Sequence, residues 1–232
     1  MTSIKYVLTG LLLLTASLNI FAHALFIETS AEGKKGKEHE IIIYYAEPND
    51  PKKEPIENWW SDTKDFTLWA TLPDGRKEQL GVNWNKDHFT SSFTPALDGV
   101  YYITVHHTVA NLAGKTQYQF NTSAIVSVGK TSSNNNKKNS VEQLVMYKTA
   151  SDKKKTMAVY VSNNGKPLAD TYITVFAPNG WQKDIKTNAE GTAIFEPERH
   201  GTYLLEARKK EEVPNEEYTT RQRIITTTLN YK

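Results

Sequence analysis

The chain has no cysteine among its 232 residues. That excludes a disulfide framework, a lipid anchor on an N-terminal cysteine and any thiolate metal site. It also lacks a long apolar run: the stretch Val7 to Leu14 falls well short of the ~18 residues a transmembrane helix needs, and no later run approaches that length. Charge of one sign is missing too, with 28 Lys and Arg against 26 Asp and Glu. Nucleic-acid binding needs a concentrated basic face, and the lysine runs Lys34–Lys35, Lys137–Lys138 and Lys153–Lys155 sit in polar turns, where they read as solvated loop charges. No G-x-S-x-G nucleophile motif, Walker-type glycine loop or dinucleotide fingerprint occurs.

What is present begins with residues 1–22. One charge, Lys5, is followed by the apolar run and a small-residue exit through Ala16, Ser17 and Ala22, the plan of a secretory signal peptide. The expected mature protein is exported, periplasmic and free of transmembrane segments. Without disulfides it must be held by burial alone, and roughly 210 residues suffice for two ordinary domains.

Short alternating runs recur at Leu25–Thr29, Glu40–Tyr45, Phe66–Leu72, Phe89–Phe93, Val100–Val105 and Gln117–Val128, separated by turn signals such as Pro73-Asp74-Gly75 and Ala113-Gly114. A stretch with no apolar residue, Gly129–Ser140, reads as a linker. A second series follows at Leu144–Lys148, Thr156–Val161, Tyr172–Phe176, Thr192–Phe195, Thr202–Ala207 and Arg221–Leu229. The pattern predicts an all-β protein of two tandem β-sandwiches: a domain over 23–129, a linker over 130–140 and a second domain over 141–232. Each half carries a late strand with glycine two residues before tyrosine, Gly99-Val100-Tyr101 and Gly201-Thr202-Tyr203. In immunoglobulin-like sandwiches such a tyrosine bonds back to the backbone at a strand corner.

The second half resembles the transthyretin-like or carboxypeptidase-regulatory sandwich. The residues that carry the likeness are Gly165, Pro167 and Leu168 in a turn, Thr187 and Gly191 in a second turn, then Gly201 and Tyr203. This resemblance implies a fold and no chemistry of its own.

Chemistry must then come from scattered side chains. Asp50 and Glu54 could in principle serve glycoside hydrolysis, but their charged, proline-bearing loop reads as solvated surface. Trp59 and Trp60 are adjacent, so in an extended segment they point to opposite faces, one into the core and the other free to cover a pocket or stack on a sugar. In "VYYITVHH", Tyr101, Ile103, Val105 and His107 share the core face, which leaves His106 looking outward. Cleavage between Ala22 and His23 would start the mature chain with histidine, whose α-amine (pKa ~8) and imidazole (pKa ~6.5) can chelate one ion. Cleavage after Ala24 fits the small-residue rule better and would discard it. Nitrogen donors of this kind suit divalent copper or nickel better than calcium or magnesium. His107 is the natural partner for His23, with Glu47 and His106 as lesser candidates.

The segments "AHALFIETS", "KEHEIIIYYAEP", "WWSDTKDFTLWATLPDG" and "FTSSFTPALDGVYYITVHH", with the transthyretin-like half, are similar to a periplasmic family of unknown function grouped with nickel-uptake proteins of the NikM/NikK type. The resemblance implies two β-sandwiches, a role in binding nickel or cobalt, and a membrane metal-uptake transporter as partner. Residue by residue it sets His23 at the family's leading histidine, His107 at its strand-ending histidine and Glu47 at the glutamate after the tyrosine pair. The chain departs from the pattern at Arg208, where relatives carry a histidine, so no ligand from the second domain is carried over. Three readings stand: a non-catalytic transition-metal-binding protein, a glycan- or protein-binding adhesion module using Trp59, Trp60 and Trp84, and an oxidative copper enzyme. The last has no identifiable substrate surface. Asn121 opens an N-glycosylation tripeptide, which a bacterial-looking leader argues against using.

Overall fold

The structure, a computed structural model, describes residues 23–48, 50, 53–129, 144–149, 151, 155–214 and 216–231. The expected leader and linker lie outside the described residues. The first half forms β1 (Ala24–Thr29), β2 (Glu32–Gly33), β3 (His39–Ala46), β4 (Leu68–Thr71), β5 (Lys77–Leu80), β6 (Asn83–Trp84), β7 (Phe89–Phe93), β8 (Gly99–Thr108) and β9 (Thr116–Val128). The second half forms β10 (Leu144–Thr149), β11 (Met157–Asn163), β12 (Lys166–Pro167), β13 (Tyr172–Phe176), β14 (Gln182–Lys186), β15 (Thr192–Phe195), β16 (Gly201–Glu212) and β17 (Thr220–Tyr231). No α-helix occurs among these residues; two 3₁₀ turns, Ile56–Asn58 and Thr63–Asp65, interrupt the β3–β4 connection.

The two halves are sandwiches that share a sheet. Its order is β14-β13-β16-β17-β9-β8-β4-β5, with β2 added against the end of β9. Every pair along that path is antiparallel except the central one: β17 runs parallel to β9, with Ile224 beside Phe120 and Thr226 beside Thr122. A two-fold axis along such a parallel pair exchanges the faces of the sheet, so the two small cover sheets must lie on opposite sides. They do. Ile224 joins the core beneath the β1-β3-β7-β6 cover, while its neighbour Ile225 joins the core beneath the cover formed by β10, β11, β12 and β15.

Side-chain hydroxyls fasten each cover to the shared sheet. β1 is an edge strand, and its outward carbonyls at Leu25 and Ile27 accept from the hydroxyls of Thr226 and Thr228, each at 2.5 Å. On the other face Ser123 of β9 bonds both the carbonyl and the amide of Met146 on β10. These bonds satisfy edge groups that would otherwise be buried without partners, each contributing about 1 kcal/mol net.

The corners repeat in detail. Tyr101 Oη accepts the Leu97 N–H at 2.9 Å and donates to the Leu97 carbonyl at 3.0 Å; Tyr203 does the same to Arg199, at 3.0 and 2.9 Å. Gly99 (φ +139°) and Gly201 (φ +134°) hold the turns just before these tyrosines. A Cβ on the first would come within 2.5 Å of the Pro73 side chain, and one on the second within 2.7 Å of Pro178. Glycine is therefore demanded twice by both conformation and closeness. The transthyretin-like residues also have structural work: Thr187 Oγ1 donates to the Leu168 carbonyl and accepts from the Thr171 amide, joining two loops across the second sandwich.

Candidate metal-binding end of the first sandwich

Antiparallel pairing of Ala24 with Ala46 places His23, at the head of β1, opposite Glu47 at the tail of β3. His23 Nδ1 lies 3.7 Å from Glu47 Oε1, and its Nε2 lies 3.6 Å from Glu54 Oε2. The ring rests on Tyr45 with centroids 5.1 Å apart. Tyr45 packs in turn on Trp59 and Phe120, both at 5.6 Å. Burial, helped by the Glu54 charge, pushes the Tyr45 hydroxyl far above its usual pKa, so it stays protonated.

His107 stands at the same end. One row crosses the shared sheet through Arg208, Ile224, Phe120 and His107, each paired with the next. Its members share the face beneath the β1 cover, where Phe120 meets Tyr45. His107 is largely buried, with a side chain 12% exposed, and its Nε2 lies 3.4 Å from Asp62 Oδ1. That carboxylate is itself held: the Ala110 N–H donates to it at 2.8 Å and the Ser61 hydroxyl at 3.2 Å, while the Asn111 N–H donates to Ser61 Oγ at 3.2 Å. Burial raises the Asp62 pKa, but the Ala110 amide and His107 outweigh it and hold the carboxyl below its usual range.

The segment from Glu54 to Asp62 thus supplies a carboxylate to each histidine, and its tryptophans pin it down. Trp59 is 4% exposed; its indole N–H donates to the Glu54 carbonyl at 2.9 Å and its ring meets Phe89. Trp60 is partly buried, edge-on to Tyr118 at 5.5 Å. One tryptophan of the pair is therefore core, and the other lies along the strand that carries Phe120. His106 sits one residue from His107 and so on the opposite face of β8, paired with Asn121 and apart from the other candidates.

Imidazole and carboxylate donors fit a borderline divalent ion such as nickel, copper or zinc. Two donors bound at ~2.1 Å to one ion stand roughly 3.0–3.4 Å apart, a little less than the 3.7 Å between His23 Nδ1 and Glu47 Oε1. Among the described residues, however, no three His, Cys, Asp or Glu side chains converge tightly enough to form a preassembled site. The arrangement is two histidine–carboxylate groups at one end of a sandwich. Glu54 and Asp62 escape a reading by strand periodicity because both lie in a loop. The available signal was the tryptophan pair with an acid on either side.

A cleft of about 850 Å³ lies elsewhere, at the far end of β1, lined by Glu28, Glu40, His39, Thr228 and Tyr231 among others. His39 is buried there with Nε2 bonded to Thr29 Oγ1 at 2.8 Å. Asn121 is 2% exposed, which leaves its glycosylation tripeptide inaccessible in the folded chain.

Fold and site define a two-sandwich β protein with a shared central sheet and a histidine-bearing end. The chain belongs to the family described as Domain of unknown function (DUF4198), which matches residues 20–211. No curated protein matches it significantly. Among solved structures it is similar to Salmonella alpha-2-macroglobulin reacted with methylamine, at 10% identity over 89% of this chain and TM-score 0.32. A DUF4785 family protein from Legionella pneumophila is 12% identical over 82% of this chain, also at TM-score 0.32. The chain spans 15% of the first of these proteins and 53% of the second. No helix among the described residues is long and apolar enough to cross a membrane.

Proposed function

We propose that the protein binds one divalent transition ion, nickel, cobalt or copper, through His23 with Glu47 and His107, and catalyses no reaction. In this reading it is exported to the periplasm and hands metal to, or holds it for, a membrane uptake transporter. The observation that carries the proposal is Glu47 beside His23 Nδ1, with Glu54 at Nε2 placed to orient the ring, at the end that also holds His107 and Asp62. Ala24 supports a mature chain that keeps His23: it is fully buried and paired with Ala46, so cleavage after it would remove a strand residue. Cleavage after Ala22 instead frees an α-amine on His23, and amine and imidazole then close a chelate.

The test is calorimetric titration of the mature protein with nickel and copper, alongside N-terminal mass analysis. We expect about one ion per chain, a first residue of His23, and a loss of at least ~10-fold in affinity for His23→Ala, in line with the loss of one metal-site partner. A ligand at 100 times its Kd should add ~2.7 kcal/mol of stability. Unchanged affinity in His23→Ala, or a chain that starts at Leu25, sinks the proposal.

One observation favours a second reading, a glycan- or protein-binding adhesion module. Trp84 is 72% exposed on β6, at the outer edge of the first cover sheet. An aromatic ring so placed can stack on a sugar face. Metal-independent retention on a glycan surface, lost in Trp84→Ala, would support that reading over the first.

A further inference from the structure

The environment of His107 has a chemical polarity that a space-filling role does not require. Its Nε2 is buried and makes no standard hydrogen bond, yet faces Asp62 Oδ1 at 3.4 Å. An ionised carboxylate offers only lone pairs, so an unprotonated Nε2 would set lone pair against lone pair in a buried place. A proton on Nε2 turns that contact into an attraction and leaves Nδ1 unprotonated, with its lone pair able to accept a hydrogen bond or ligate an ion.

Asp62 cannot easily turn away. Its Oδ1 receives the Ala110 amide and the Ser61 hydroxyl, and the Asn111 amide holds Ser61 in turn. Ser61 itself has φ +56°, a backbone region that L-residues other than glycine seldom adopt, and it occupies it where it clamps the β8–β9 loop. A strained residue whose side chain and neighbour fasten a carboxylate against a histidine is what a positioning device requires.

We propose that Asp62 is a positioning residue that fixes the tautomer of His107, keeping the proton on Nε2 and presenting Nδ1 as a metal-binding nitrogen. The second half of this statement rests on the metal-binding reading; the first does not. It extends to this chain the general arrangement in which a ligating histidine donates its other ring proton to a carboxylate.

Nitrogen-15 NMR of the imidazoles in the metal-free protein, with His107 assigned by its disappearance in His107→Gln, tests the tautomer without any metal. The Nε2–H form should dominate in the wild-type protein and lose its dominance in Asp62→Asn, whose amide can donate as well as accept. Nickel titration should then show a 10- to 100-fold weaker affinity in Asp62→Asn, with partial recovery in Asp62→Glu. The Nδ1–H form in the wild-type protein overturns the proposal whatever the variants do, and so does an Asp62→Asn protein with unchanged tautomer and affinity. A wild-type protein with the Nε2–H tautomer that takes up no metal upholds the positioning by Asp62 and removes the metal-binding reading instead.

Discussion

The two halves share one skeleton and differ in what is hung on it. Tyr101 and Tyr203 close identical corners, Gly99 and Gly201 approach Pro73 and Pro178, and the hairpins from Leu72 to Arg76 and Ala177 to Trp181 carry the same pair of backbone bonds. The difference lies in the connection from the cover sheet to the shared sheet. In the first half, the tryptophan-bearing segment from Glu54 to Asp62 brings Glu54 to His23 and Asp62 to His107. In the second half, residues 164–171 make only a tight turn, β12 and its exit. At the strand position matching His107 the second half has Lys209, which pairs with Glu211. A sandwich therefore needs its corners and its core, and acquires chemistry from a loop that the fold itself does not require.

The sharpest test of that likeness removes a core residue from each half. Phe120→Ala should destabilise by about 3–5 kcal/mol and Leu205→Ala by about 2–5 kcal/mol. Because both residues lie on the shared sheet, calorimetry should show one transition moving in either variant. Two transitions, with only one displaced, would mean that the halves are energetically separate despite the β9–β17 pairing.

A smaller effect compares the corners. Tyr101→Phe and Tyr203→Phe each remove a hydroxyl that makes two part-buried backbone bonds, for a loss of about 1–2 kcal/mol in denaturant unfolding. Equal losses would confirm the repeat; a loss confined to one half would break it.

The smallest effect is titration, where the halves should respond with opposite sign. Burial holds the His39 pKa below its ordinary 6.5, so the unfolded chain binds more protons there, and its contribution is complete above that value and lost as pH falls below it. Burial raises the Glu206 pKa above its ordinary 4.5, against the pull of Arg208. Its contribution is therefore present below 4.5 and lost as pH rises through the folded value. Stability profiles of His39→Gln and Glu206→Gln should lose their slope in these two separate windows. A slope that survives in His39→Gln on the acid side of 6.5 would assign that window to another group.

Twelve strand runs were legible as alternation, and β7, β13 and β15 have the bounds that alternation predicts. What escaped were the short or charged strands. β5 (Lys77–Leu80) and β14 (Gln182–Lys186) lie at the two edges of the shared sheet, where charge protects exposed backbone and erases the apolar period. The phase of "VYYITVHH" put His106 and His107 on opposite faces, as a period of two must. Glu54 and Asp62 had no such handle, because loop residues obey no period and their partners are distant along the chain.

The all-β class and the two tyrosine corners can be read from local sequence, since alternation, turn glycines and corner tyrosines act over a few residues. Folding alone sets the parallel pairing of the last strands of the two halves, the opposite facing of the covers that follows from it, and the meeting of His23 and His107 with carboxylates from one loop. Those contacts join residues far apart in sequence, and nothing local to either partner encodes the other.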